Sequence, residues 1–197
     1  MSRADATRRG TGRMARMADL GVAAVLTVAA TRAATYTSAA VDTQGRLVIH
    51  TSAHRTIVVP KSGDQTTFAD PIMSSDGLAV GAQADFPNCC TSYDIPLELV
   101  IYSKGKVHRF RGVGLPIFDW QFAGSGARVA YGQQTVHFTC SVHYELRDVL
   151  SERLLDSADV PEPCGENPHP DMNVRMPEWV VRLRSRTPKR PAPRPAT

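Results

Sequence analysis

The chain has 197 residues, 42% of them hydrophobic and 21% charged, with four cysteines and a formal net charge of +4. That charge sits at the ends: residues 1–34 carry six Arg against Asp5 and Asp19, and residues 175–197 carry six Arg and Lys189 against Glu178. The stretch between holds 10 basic and 16 acidic residues, a net −6 that excludes a phosphate-backbone binder, so no nucleic acid is expected as a partner.

From the N-terminus, Arg3, Arg8, Arg9, Arg13 and Arg16 precede the apolar run LGVAAVLTVAA (Leu20 to Ala30), which passes into the small-residue stretch TRAATYTSAA. This order predicts a secretory signal peptide over residues 1–30, helical in its apolar part, with a cut near Ala30. A buried helix or an N-terminal anchor is the other reading, and Arg32 leaves the cut position open. At 11 residues the run is shorter than the about 20 that a membrane span needs. A periplasmic or secreted product with no membrane span after cleavage is therefore expected, and its cysteines are expected to be bonded.

Residues 31–174 suffice for one β-rich domain. They contain short apolar or alternating runs broken by Gly, Asp, Ser and Pro rather than long stretches at helical period. Three runs match: AVDTQGRLVIHT (Ala40 to Thr51), PIMSSDGLAVGA (Pro71 to Ala82) and WQFAGSGARVAYG (Trp120 to Gly132). In each, Gly45, Gly77 or Gly126 stands three residues before Val48, Val80 or Val129 and supplies a tight turn into an inner strand apolar enough to be covered on both faces. An alternating strand, a turn and a last strand should follow. In the second unit Leu97, Leu99 and Ile101 share a face and Lys104–Gly105 turns into Val107 to Phe110; in the third Val142, Tyr144 and Leu146 oppose His143, Glu145 and Arg147. The first unit continues through the shorter RTIVVPKSGDQTTF. Beyond the domain, MPEWVVRLR (Met176 to Arg184) reads as a short helix with Pro177 in its first turn or as a last strand, with Trp179 as packing anchor. Residues 175–197 as a whole form a basic, Pro- and Arg-rich tail expected to be mostly disordered.

The segments SSDGLAVGA and AGSGARVAYG resemble the Ser-Pro-Asp-Gly turn and inner strand of WD-type and TolB-like β-propeller blades, and YELRDVLSERLL resembles their Trp-Asp strand and following turn. Arg147 stands where that pattern has Trp, Glu152 where it has Gly and Ser75 where it has Pro. Blades take about 40 to 45 residues and closed rings at least about four of them. Glycines spaced 32 and 49 residues apart give about three units. The resemblance implies an all-β chain of three blade-like antiparallel units in an open or incomplete propeller, with a β-sandwich or barrel as the alternative. Open strand edges would permit homo-oligomers. The segment Asn88 to Tyr93 also resembles one found in exported, uncharacterised bacterial proteins.

Candidate site residues cluster in the insertion QADFPNCCTSYDIP, where Phe86, Asn88, Thr91, Ser92, Tyr93 and Asp94 are the expected ligand contacts. A bond between Cys89 and Cys90 would be strained, because neighbouring α-carbons lie about 3.8 Å apart and disulfides prefer about 4.4 Å or more. The alternatives are crosslinks from this pair to Cys140 and Cys164, structural in role, or a redox pair at Cys89–Cys90. No metal is expected: on a regular strand His137 and His143 lie about 20 Å apart with Cys140 on the opposite face. No nucleophile elbow, His-Glu-x-x-His or phosphate loop occurs, so neither catalytic residues nor a cofactor are expected. Asp85, Asp94, Asp119 and Glu98 leave a glycan-acting enzyme as an alternative, while RGVGLP (Arg111 to Pro116) reads as a connection. Phe86, Tyr93, Phe118, Trp120, Phe122 and Tyr131 surround the insertion and third turn; some are candidates for a pocket suited to a sugar or peptide, with Trp120 and Phe122 placed in the core. The functional expectation is an exported, non-catalytic binding or scaffold domain for a protein or small ligand.

Overall fold

A computed structural model describes residues 34–89, 92–135, 140–162 and 175–186. Among them are eleven strands, all antiparallel, and one helix, so the chain is all-β with a helical addition. The first sheet contains β1 (Tyr36–Val41), β2 (Leu47–Thr51) and β3 (Thr56–Val59). The second contains β4 (Thr67–Met73), β5 (Ala79–Phe86), β6 (Ile95–Ser103) and β7 (Lys106–Phe110). The third contains β8 (Ile117–Ala123), β9 (Arg128–Gln133), β10 (Ser141–Asp148) and β11 (Leu154–Pro161). In each sheet spatial order follows chain order, and α1 (Glu178–Arg186) comes last.

The turns that start the inner strands are built from their own side chains. Asp42 Oδ1 accepts the N–H groups of Gln44 and Arg46, and Asp76 Oδ1 accepts that of Leu78 and the Ser74 hydroxyl. Gly45, Gly77 and Gly126 follow with φ of +70°, +67° and +99°, a region that costs glycine little and other residues strain. The turns also lock neighbouring sheets together: Gly45 O accepts from Phe68 N and Gly77 O from Tyr36 N, and a Cβ on Gly126 would lie 2.6 Å from Ser74 Cβ.

Alternation places two apolar faces on the second sheet. Val80, Ala82, Ala84 and Phe86 of β5 and Val100 of β6 face the first sheet with Leu47, Ile49 and Val59. Ala79, Leu99, Ile101 and Phe110 face the third with Ile117, Trp120, Val129 and Tyr131. Close approach there requires Gly81, because a Cβ would lie 2.4 Å from Trp120 Cη2. A third core joins Ala130, Val142, Tyr144 and Leu146 to Val180 and Leu183 of α1. The described residues of this unit thus form a stack of three sheets with a helix on the third.

Several expectations change. Thr67 and Phe68 open β4 in the second sheet instead of ending the first unit, and β1, β4 and β8 precede the three glycine turns as strands that periodicity did not single out. β2 is covered on one face, with His50 exposed, because no described layer lies beyond the first sheet. Met176 to Arg184 takes the helical alternative, so residues 178–186 of the segment expected to be mostly disordered are a packed helix. Residues 1–30, where a signal peptide was expected, and the tail after Arg186 lie outside the described residues.

Candidate functional site

A cleft of about 1040 Å³ opens between β4, β8 and α1. β4 and β8 are edge strands of the second and third sheets, and residues of both line the cleft. Alternation along β8 sends Trp120 and Phe122 toward the second sheet, while Ala123 packs toward α1. Ile72 and Met73 stand across from them on β4. Trp179 and Leu183 form the helical wall, where the Trp179 indole N–H donates to Asp156 Oδ2 at 2.8 Å.

Charge is graded along the cleft. Asp70 follows Ala69, the ladder partner of Gln83, and the Gln83 amide donates to the carbonyls of Ile117 and Phe118, which puts Asp70 and Asp119 at the end where β8 starts. Arg128 lies at the other end, opposite Ala123 in the register. Between them Glu178 and Arg182 pair with one another across one helical turn. Just behind the acidic end sits Asp85, whose carboxyl is pushed up from 3.8 to about 6 by burial first and then by the charges of Asp94 and Asp70.

The expected contact segment is divided. Phe86 is buried in the first core. Asn88 is half-buried, Cys89, Ser92 and Asp94 are exposed, and Tyr93 is 55% exposed; Thr91 and Cys90 lie outside the described residues. Cys140 is disulfide-bonded, and Cys164 lies outside the described residues. Of the six aromatics, Phe118, Trp120 and Phe122 line the cleft together, and Trp120 is also a core residue as expected. Tyr131 is buried and donates to Glu145 Oε2 at 2.6 Å; burial, then that carboxylate, raises its phenol above the ordinary range.

His143 Nδ1 lies 2.8 Å from Asp159 Oδ1 and Nε2 3.4 Å from Glu145 Oε1, and His137 lies outside the described residues. Among the described residues no group of three His, Cys, Asp or Glu side chains is placed to hold a metal ion. The four carboxylates considered for glycan chemistry are distributed. Asp85 and Asp94 repel one another, Asp119 lines the cleft, and buried Glu98 is clamped by Arg109 at 2.8 Å and Arg111 at 2.6 Å. Arg111 to Pro116 connects β7 to β8. Asp70, Ile72, Met73 and Arg182 are cleft residues that the sequence did not mark, and Trp179, marked only as a packing anchor, also lines the cleft. No protein-family model matches the chain, and no curated protein matches it.

Proposed function

We propose that the chain is an exported, non-catalytic binding module of propeller-repeat type, its three sheets serving as blades of an incomplete propeller and its ligand seating between β4, β8 and α1. The observation that carries this reading is the cleft itself: its volume, about 1040 Å³, suits a ligand at or above ordinary small-molecule size, and aromatic faces sit beside charges of both signs. The segment Pro87 to Asp94 is a second contact surface, supported by the exposure of Tyr93. The bonded state of Cys140 favours crosslinks over redox cycling as the role of the cysteines.

A thermal-shift screen of the full chain against short peptides and oligosaccharides tests the reading. A cleft ligand at about 100 times its Kd should stabilise the protein by about 2.7 kcal/mol. Ile72→Asp, at a lining residue 42% exposed and outside the cores, should weaken that ligand at least about tenfold without unfolding the protein. Ligands that act equally on Ile72→Asp but are lost in Tyr93→Ala would move the site to the loop, and turnover of a bound ligand would end the non-catalytic reading.

A further inference from the structure

We infer that the cleft takes an extended peptide segment of a partner protein, added as a strand to the open edge of β8 and running antiparallel to it; this rests on the cleft-binding reading above. β8 is the terminal strand of its sheet, and every second residue of a strand turns its N–H and C=O to one side. The Gln83 amide occupies the carbonyls of Ile117 and Phe118, whereas no described hydrogen bond reaches the outer side of Trp120 to Ala123. A strand laid there would project its side chains alternately, one set against Ile72, Met73 and Phe122 and the other against Trp179 and Leu183. Apolar walls on both sides therefore ask for apolar or methyl-bearing, β-branched residues at the centre of the segment.

Pairing sense and charge gradient together set the order of charges along the segment. Antiparallel addition places the N-terminal end of the segment near Arg128 and its C-terminal end near Asp70 and Asp119. Antiparallel pairing is the more stable arrangement per residue, so the fitting segment is acidic first and basic last. Arg128 has no ion-pair partner among the described residues, which leaves its guanidinium available to that acidic end.

The probe is the capped heptapeptide Glu-Val-Thr-Phe-Thr-Val-Lys, titrated into the full chain while the fluorescence of its two tryptophans, Trp120 and Trp179, is followed. It should bind at least about tenfold tighter than the same peptide with Glu and Lys exchanged. Two further versions carry N-methyl groups on alternate amides, one set in each. One of them should keep the parent affinity and the other lose at least about tenfold, because only one set faces β8. Equal affinity of both N-methylated peptides would overturn strand addition while leaving side-chain binding in the cleft intact. No binding by the parent peptide would overturn it as well, with the ligand screen still deciding the cleft. A concentration-dependent dimer that the peptide dissociates would make a second copy the occupant and overturn the proposal of a separate partner.

Discussion

Gly81 shows how little room the interior leaves. A Cβ there would lie 2.4 Å from Trp120 Cη2 and 2.6 Å from Ile101 Cδ1, both fixed in the second core. Gly81→Ala is expected to cost about 1 to 3 kcal/mol, the range for overpacking a close-packed interior. The check is a lower urea midpoint at unchanged slope; an unchanged midpoint would mean the indole yields toward the cleft. Asp85 poses an electrostatic problem instead. Its carboxyl titrates near 3.8 when free and about 6 in the folded chain, so the native state holds a proton that the unfolded chain releases between those values. Stability from this group is complete below about pH 4 and is lost as pH rises through about 6. Asp85→Asn should therefore be the more stable protein at neutral pH, by about 1 to 2 kcal/mol, less than the full shift because the site is only partly buried. Urea unfolding across that range should show the two curves meeting at the acid end; curves that stay parallel would contradict the assignment.

Helix α1 is the element on which sequence and structure are most instructive together. Pro177 precedes it, Glu178 occupies its first turn, and Val180 and Leu183 recur at helical spacing, all of which local chemistry favours. The competing strand reading fails only because the third sheet presents Ala130, Val142, Tyr144 and Leu146 for a helical stripe to cover. Leu183→Ala should accordingly cost about 2 to 4 kcal/mol, while Val181→Ala, at a position 48% exposed, should change stability by less than about 0.5 kcal/mol. Equal, small effects in urea unfolding would mean that the helix does not dock. The same contrast explains what could be read beforehand. Gly45, Gly77 and Gly126 were legible because a positive φ is a local demand, and Lys104–Gly105, also at positive φ, belongs with them. The assignment of Thr67 and Phe68 to the second sheet was not, since a short strand accepts either neighbour until register is fixed by tertiary contacts. Phe86 looked like part of the loop because it adjoins it, yet alternation from Val80 carries it into the core. The cleft was the least legible feature, for its walls come from β4, β8 and α1, three segments that nothing in the chain order links.

At the scale of the molecule the stack is asymmetric, and that asymmetry should be visible in how it opens. The second sheet is buried on both sides, by the first core and by the second, whereas the first sheet shares a single core and leaves Val58 44% exposed. Detaching the first sheet exposes one apolar interface; detaching the second exposes two. Native-state hydrogen exchange is therefore expected to show β5 and β6 amides exchanging only through global unfolding, and β1 to β3 amides through a smaller opening of lower free energy and weaker denaturant dependence. One side-chain tie opposing that opening, beside the backbone bonds of Gly45 and Gly77, runs from buried Glu98 through Arg109, whose Nη2 donates to Pro60 O at 3.0 Å just beyond β3. Arg109→Ala removes this tie and leaves Glu98 with Arg111, itself largely exposed. The variant should lower the opening free energy of β1 to β3 by about 1 to 2 kcal/mol, less than the about 3 to 5 kcal/mol of a buried charge left alone. If β1 to β3 instead exchange together with β5 at the global free energy in both proteins, the sheets form one cooperative unit and the stack has no weak end.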